Sequence, residues 1–233
     1  MRVGLVTIGD ELLAGETVNT NGAWLAEQLA DRSVHVERIV VVPDRIADIV
    51  EVVEAYRRRY DAVITTGGIG PTHDDVTMRA VADTFDVELA ESREALQWIE
   101  KHHGYAREDL TEGTAHIPES ARTLPNHEGV APGCVLENVY VLPGVPEEMK
   151  AMFGEVSEEF SGEAIHVETV LAAEPESALL DRIEEVGNRF DVMIGSYPGE
   201  NVRLKLSGSD SGEVSEAAKW FRQRVELPDD GDD

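Results

Sequence analysis

Residues 61–77 have the sequence Asp-Ala-Val-Ile-Thr-Thr-Gly-Gly-Ile-Gly-Pro-Thr-His-Asp-Asp-Val-Thr, and this stretch decides the fold class. Its apolar residues 62–64 predict a buried strand. Gly67, Gly68 and Gly70 predict a turn whose N–H groups can approach an anion, because glycine lacks a Cβ and tolerates φ > 0. The helical pattern from Val76 onward would favour a phosphate at its N-terminus through free N–H groups and the helix dipole. The stretch therefore predicts a strand–loop–helix unit of an α/β protein, with a candidate phosphate site in the loop.

The glycine spacing alone leaves a functional site and a structural turn as alternatives. No Lys-Ser/Thr pair follows the glycines, so this is no Walker A loop, and G-G-x-G differs from the dinucleotide pattern G-x-G-x-x-G. In a structural turn, Asp75 would simply cap the helix. The doubled acid Asp74-Asp75, flanked by Thr72 and Thr77, favours a site. Two carboxylates beside a phosphate need a cation between them or a water to polarise.

Strand and helix patterns alternate along the first 160 residues. Strands are predicted at residues 3–8, 34–42, 62–64, 133–136 and 139–142, with helices between most of them. Thr20 or Asn21 is expected to cap the helix that ends at Arg32, and Asp44 the helix after the second strand. Repeated strand–helix units with short links predict a mainly parallel sheet with helices on both faces, a three-layer α/β fold.

Three loops that follow strands combine glycine with carboxylates. They are residues 9–15, 67–75 and 143–147. In an open α/β sheet, ligands bind beyond the carboxyl ends of the strands. These loops are therefore expected to converge on one crevice.

The pattern restarts after residue 162. A strand at 166–172, a helix at 176–190, a hairpin of 192–197 with 202–206 and a helix at 212–225 follow one another. We predict a domain at 1–160, a smaller β-α-β-β-α domain at 165–227 and an acidic disordered tail at 228–233.

The charge of the chain bears on its partners. The 47 Asp and Glu outnumber the 20 Lys and Arg and give a net charge of −27. Nucleic acid is not an expected partner, because a polyanion gains affinity by releasing counterions to Lys and Arg. In dilute salt so many negative side chains repel one another and destabilise a compact chain, whereas molar salt screens this repulsion. In composition the chain resembles proteins of salt-loving archaea.

Targeting patterns favour the cytoplasm. No apolar run approaches the roughly 20 residues of a membrane span. Met1-Arg2 leads directly into a strand, without a signal peptide. Cys134 is the only cysteine, so no intrachain disulfide forms and a reducing compartment is expected.

Four stretches make the chain resemble the molybdopterin-binding domain of the MoaB/Mog type and, more narrowly, the N-terminal part of CinA proteins. They are residues 8–15 with 19–21, residues 65–77, residues 126–133 and residues 142–149. Their order and spacing hold across about residues 1–160, and Ser196-Tyr197-Pro198 is similar to the small domain that follows in CinA. The chain stops before the amidase domain of many bacterial CinA proteins, so nicotinamide-nucleotide deamidation is not expected.

The resemblance implies a site for a phosphorylated pterin or a nucleotide, and no tightly bound organic cofactor. In Mog-type enzymes the glycine loop and an acidic residue, matched here by Asp75, support adenylyl transfer to molybdopterin. Asp74 stands where the Mog group often has a basic residue that would help to hold a triphosphate. CinA-like domains are instead associated with metal-dependent cleavage of dinucleotide pyrophosphates such as ADP-ribose, which suits an Asp-Asp pair.

The hydrolase hypothesis gives each candidate residue a role. Asp75, Asp74 and Asp10 are the catalytic candidates, and Asp74 and Asp75 would hold a divalent cation such as Mg²⁺. The ligand-binding candidates are Thr66, Gly67, Gly68, Gly70, Thr72, Glu11, Asn19, Asn21, Pro143, Gly144 and Pro146. A molybdopterin adenylyltransferase and a binding-only module stay open as alternatives. Related domains commonly self-associate, so a homo-oligomer is expected.

Overall fold

The computed structural model describes residues 1–162 and 165–228, and the chain divides into two compact units, residues 1–162 and 163–233. Within the described ranges, no helix combines the length and the apolar character that crossing a bilayer requires. The predicted acidic tail lies outside the described residues from residue 229 onward.

The first unit contains eight strands and six α-helices among its described residues. Its strands are β1 (Arg2–Ile8), β2 (His35–Val42), β3 (Ala62–Thr66), β4 (Leu89–Glu91), β5 (His116–Pro118), β6 (Arg122–Leu124), β7 (Gly133–Leu136) and β8 (Val139–Leu142). Its helices are α1 (Asp10–Leu13), α2 (Thr20–Ala30), α3 (Ile46–Arg59), α4 (Thr77–Thr84), α5 (Arg93–His103) and α6 (Pro146–Val156).

Six of these strands form one sheet in the order β2-β1-β3-β8-β7-β6. The four strands β2, β1, β3 and β8 run parallel, and β7 and β6 continue the sheet in antiparallel fashion. Strands β4 and β5 form a separate antiparallel pair. The predicted mainly parallel sheet is confirmed, with an antiparallel edge.

The central strands β1, β3 and β8 are buried on both faces, and successive residues of each strand contribute to opposite faces. Val3 and Leu5 pack into one cluster with Phe153 of α6, and Val6 joins a second cluster with Ile49 of α3. A parallel sheet covered on both faces needs apolar strands. The three-layer α/β architecture is therefore confirmed, and it fixes the carboxyl ends of the parallel strands along one edge.

The second unit is a smaller α/β domain with its own sheet, as predicted. It contains β9 (His166–Ala172), α7 (Glu176–Arg189), β10 (Met193–Tyr197), β11 (Val202–Gly208) and α8 (Ser211–Arg222). The antiparallel sheet has the order β10-β11-β9. Leu179 of α7 and Phe221 of α8 pack with Leu204 of β11 in a separate core.

Candidate functional site

Four loops meet at the carboxyl edge of the parallel strands. The adjacent strands β1, β3 and β8 place the segments after Ile8, Thr66 and Leu142 side by side. These are the three loops that the sequence suggested would converge. Because β2 runs parallel to β1, it adds a fourth segment, Pro43-Asp44.

The glycine loop, residues 67–70, is tightly packed at its first residue. Gly67 has φ +106°, and a Cβ there would lie 2.2 Å from the backbone oxygen of Ile8. The buried Thr77 ties the loop to α4: its Oγ1 donates to the Gly67 oxygen at 2.8 Å, and its N–H donates to the Gly68 oxygen at 2.9 Å. These contacts fix the path of the chain between β3 and α4.

Three successive N–H groups of the glycine loop are available to a ligand. Within the part of the chain that the structure describes, the N–H groups of Gly68, Ile69 and Gly70 donate to no protein acceptor. Successive backbone donors of this kind form anion-binding concavities. Gly67 was also expected to hold phosphate oxygens, but its N–H already donates to the Leu142 oxygen at 3.1 Å. Its role is to let β1, β3 and β8 approach one another.

Asn21 joins α2 to the loops after β3 and β8. Its Nδ2 donates to Thr66 Oγ1 at 3.1 Å and to the Gly144 oxygen at 2.7 Å. Thr66 Oγ1 in turn donates to the Pro143 oxygen at 2.6 Å. The single hydroxyl proton is directed to the Pro143 oxygen in this arrangement, so the predicted donation from Thr66 to a phosphate would require the hydroxyl to rotate. Asn21 Oδ1 is buried without a hydrogen-bond partner among the described residues.

Asn19 has a structural role that differs from the predicted contact with a ribose or base. Its Oδ1 accepts the N–H of Gly22 at 2.9 Å, so Asn19 caps α2 in place of Thr20 or Asn21. Its Nδ2 donates to Thr7 Oγ1 at 3.0 Å. Both ends of the amide are thus engaged inside the protein.

Thr72 brings the acidic pair together. Its Oγ1 lies 2.6 Å from Asp74 Oδ1 and 2.5 Å from Asp75 Oδ2, and its N–H donates to Asp75 Oδ2 at 2.8 Å. The hydrogen bond from the Thr72 hydroxyl lowers the pKa of Asp74. Helix α4 has Val76 as its N-cap residue. Asp75 therefore closes the turn at residues 72–75 and does not cap the helix.

Asp44 belongs to this edge, although the sequence suggested only a helix cap. The N-cap residue of α3 is Arg45, which makes no capping bond with its side chain. Asp44 Oδ2 instead accepts the N–H of Asp10 at 2.8 Å. Burial raises the pKa of Asp44, and the charges of Asp10, Glu11 and Asp74 raise it further, against the lowering effect of that hydrogen bond. Four carboxylates, the Asp44 cluster, therefore lie near the start of the glycine loop.

Two cavities flank the glycine loop. The Asp75 cavity has a volume of about 340 Å³, and the Asn21 cavity a volume of about 90 Å³. Of the predicted residues, Gly70, Thr72 and Asp75 line the first, and Glu11, Asn19, Asn21, Thr66, Gly144 and Pro146 line the second. Asp10, Gly67, Gly68, Asp74 and Pro143 line neither cavity.

Much of the Asp75 cavity comes from residues that the sequence did not single out. Arg79 of α4, Glu112 and His116 line it, together with Ala131 and Pro132. Only Ala131 and Pro132 lie in a stretch that carried the family resemblance. Glu112 lies in a polar segment without periodicity, so no local pattern could place it at the site.

Comparisons with known proteins agree with the architecture of the first unit. The family model described as "Probable molybdopterin binding domain" matches residues 4–161. A protein of Archaeoglobus fulgidus is 35% identical over 221 residues, covering 94% of this chain and 96% of that protein. A protein of Pyrococcus furiosus is 36% identical over 240 residues, covering 94% of this chain and 95% of that protein. The crystal structure of CinA from Thermoplasma acidophilum, described as of unknown function, is 36% identical with a TM-score of 0.63, covering 68% of this chain and 97% of that one.

Proposed function

The chain belongs to the family of the probable molybdopterin binding domain, and we propose that its glycine loop binds a phosphorylated pterin or nucleotide and that the site hydrolyses dinucleotide pyrophosphates with a divalent cation. The observation that carries this proposal is the position of the loop between two cavities. The shape of a dinucleotide pyrophosphate corresponds to this arrangement, because a phosphoanhydride joins two larger groups. The Asp75 cavity would take one half and the smaller Asn21 cavity part of the other, with the phosphates at the loop.

The loop supplies the phosphate contacts in this proposal. The free N–H groups of Gly68, Ile69 and Gly70 are available donors, and α4 begins shortly after them at Thr77. Preorganised N–H groups stabilise negative charge without reorganisation during the reaction, which is the main protein contribution to phosphoryl transfer. The chain's own residues would thus position the anhydride.

The surrounding charge supports a cation as a third component. The Asp44 cluster contributes negative charge only. Arg79 is the one Lys or Arg among the described residues that line the two cavities, and its Nε already donates to Asp83 Oδ1 at 2.8 Å. A phosphorylated ligand would be repelled here unless a cation accompanied it.

The acidic residues fit a cation that enters with the ligand. Among the described residues, no group of three or more His, Cys, Asp or Glu could hold a metal ion by itself. Mg²⁺, however, is usually bound by one or two carboxylates together with substrate phosphates and waters. Asp74 and Asp75, which meet at Thr72 Oγ1, would supply these carboxylates. A cation bound there would polarise the anhydride and lower the pKa of a bound water.

Adenylyl transfer to molybdopterin is the second candidate, because the family match spans residues 4–161. That reaction requires a triphosphate, which carries more negative charge than the diphosphate bridge of ADP-ribose. Asp74 adds to the repulsion of such a ligand. The acidic surroundings therefore favour hydrolysis of a pyrophosphate.

A turnover assay tests the proposal. The protein is incubated in molar potassium chloride, which screens its charge, with Mg²⁺, Mn²⁺ or Co²⁺ and with ADP-ribose, FAD, NADH or GDP-mannose. We expect metal-dependent release of two monophosphates. Asp75→Asn should lower the rate by about 100-fold or more, because it removes one of the charges that hold the cation at the developing transition state.

Asp31→Asn is the matched control. Asp31 ends α2, and it lines neither cavity, so this variant should keep the wild-type rate. If the only product is an adenylylated one that needs both molybdopterin and ATP, the protein is a transferase and the hydrolase proposal is wrong. Saturable binding with no turnover for any metal would leave a binding module.

A further inference from the structure

Arg79 lies where the helix that carries it disfavours a cation. Helix α4 begins at Thr77 and ends at Thr84, so Arg79 is in its first turn and Asp83 in its last. The helix dipole favours negative side chains at the N-terminus and positive ones at the C-terminus. Both charges of this pair are therefore at the unfavourable end of α4, and the stability of the helix does not account for an arginine here.

The ion pair with Asp83 does not account for Arg79 either. Arg79 Nε donates to Asp83 Oδ1 at 2.8 Å, and the two side chains are 52% and 36% exposed. Ion pairs as exposed as this one contribute little to stability, and on a helix the acidic residue is better placed before the basic one. What distinguishes Arg79 is its place in the wall of the Asp75 cavity.

Most donors of the Arg79 guanidinium are available to a ligand. The group has five N–H donors, and the contact with Asp83 uses the one on Nε. Within the described residues, Nη1 and Nη2 of Arg79 donate to no protein acceptor. These two groups form a planar fork that matches the oxygens of a phosphate. Because Arg79 is also the only lysine or arginine among the described residues of this cavity wall, an anion in the cavity would be attracted to it.

Asp83 holds the guanidinium away from the glycine loop. Helical side chains normally lean toward the N-terminus of their helix, which in α4 is the end that Thr77 joins to the loop. Asp83, however, is four residues after Arg79, about 6 Å farther along the helix axis. The hydrogen bond between them draws the guanidinium toward the C-terminal end of α4. With an anhydride at the loop N–H groups, Arg79 would therefore face a more distant part of the ligand half in this cavity.

We propose that Arg79 is a specificity-determining residue, which selects pyrophosphates whose half in the Asp75 cavity carries an additional phosphomonoester, and that Asp83 is its positioning residue. This inference rests on the proposed function, because it specifies the substrate of the same site. A phosphomonoester carries nearly two negative charges and three acceptor oxygens at neutral pH. Asp75 and Glu112 in the cavity wall would repel such a group. Arg79 offsets that repulsion and supplies paired donors.

Binding measurements with nucleotides that lack an anhydride test the inference on the wild-type protein without turnover. Isothermal titration calorimetry in molar potassium chloride with Mg²⁺ compares adenosine 2′,5′-bisphosphate and adenosine 3′,5′-bisphosphate with AMP, from which each differs by one phosphomonoester. We expect at least one bisphosphate to bind about 10-fold more tightly than AMP. This is the lower end of the range for charge-assisted hydrogen bonds, because Arg79 is half exposed.

Three variants separate the contributions to this preference. Arg79→Gln removes the charge and should reduce the preference to less than about threefold. Arg79→Lys keeps the charge without the planar fork, so it should retain only part of the preference. Asp83→Ala keeps the guanidinium but releases it, and the preference should also fall. A purely structural role of the ion pair would instead change the free energy of unfolding and leave the ratio of affinities unchanged, which overturns the inference.

Arg45→Gln is the matched control. Arg45 also lies at a helix N-terminus and pairs with an acidic residue three positions later, Asp48, but it lines neither cavity beside the loop. This variant should keep the wild-type preference.

The bisphosphate that binds more tightly identifies the sugar position and supports the inference. Equal affinity for AMP and both bisphosphates, or a preference that Arg79→Gln keeps, overturns the inference, and metal-dependent turnover of ADP-ribose would then leave the proposed function standing. No binding of any of the three nucleotides, together with no turnover of ADP-ribose, overturns both.

Discussion

Replacing Gly67 by alanine should destabilise the first unit by more than its backbone conformation alone explains. At φ +106° an alanine costs about 1–2 kcal/mol, because its Cβ crowds the following carbonyl. The added Cβ would also lie 2.2 Å from the Ile8 oxygen, and a backbone atom cannot rotate away. Overpacking of this kind costs about 1–3 kcal/mol more. We expect the free energy of unfolding to fall by about 2–5 kcal/mol.

Gly104→Ala separates the two contributions. Gly104 also has positive φ, +74°, but a Cβ there meets no atom within 4 Å. This control should lose only about 1–2 kcal/mol. Urea unfolding of the two variants, both in the first unit, measures the difference. In thermal melts, the Gly67→Ala variant should lose about 4–20 °C, at 2–4 °C per kcal/mol.

The refuting result is a Gly67→Ala variant no less stable than Gly104→Ala. The close approach of β1 and β3 would then not depend on glycine. A stable Gly67→Ala variant that still binds nucleotide like the wild type would also contradict the tight packing inferred for the loop.

Two further predictions concern residues around the loop. Asn21→Ala removes the hydrogen bonds to Thr66 and Gly144, so urea unfolding should show a loss of about 1–3 kcal/mol; a change below about 0.5 kcal/mol would contradict that role. Asp44→Asn keeps an acceptor for the Asp10 N–H and removes a charge. The raised pKa of Asp44 means that its contribution to stability is present below 3.8 and is lost as pH rises through the raised value. The stability of Asp44→Asn relative to wild type should therefore increase as unfolding is measured from pH 3 to pH 7, and a flat or falling difference would refute this sign.

The core of the fold was predictable because its determinants are local. The strands β1 and β3 and the turn after Thr66 can each be recognised from a short run of adjacent residues, apolar in the strands and glycine-rich in the turn. Convergence of the loops after β1, β3 and β8 follows from a general rule for parallel strands. The family resemblance and the three-layer architecture were predicted on these grounds.

The roles of individual polar residues depended on tertiary contacts. Asn19, Thr20 and Asn21 have similar capping preferences. Only the tertiary contact of Asn21 with Thr66 of β3 takes its side chain away from the helix end and leaves the cap to Asn19. Asp44 precedes a helix, yet the adjacency of β2 and β1 directs its carboxylate to Asp10. Neither outcome is encoded in spacing along the chain.

The Asp75 cavity was the least predictable part of the site. Only residues 69–75 come from the segment that the sequence singled out; the others come from α4, from β4, from residues 112–116 and from the loop before β7. Glu112 and His116 lie about 40 residues beyond Asp75 in the sequence, in a region whose pattern indicated only an irregular polar loop. Contacts between segments that are far apart in the sequence place these residues beside Asp75, and a single sequence does not indicate such contacts.

A crystal structure of the Asp75→Asn variant with ADP-ribose and Mg²⁺ tests the central claim most directly, because the variant should retain the intact ligand. We predict phosphate oxygens within hydrogen-bond distance of the Gly68, Ile69 and Gly70 N–H groups, with one half of the ligand in the Asp75 cavity and part of the other in the Asn21 cavity. A diphosphate bound elsewhere, or both halves on the same side of the glycine loop, would contradict the account.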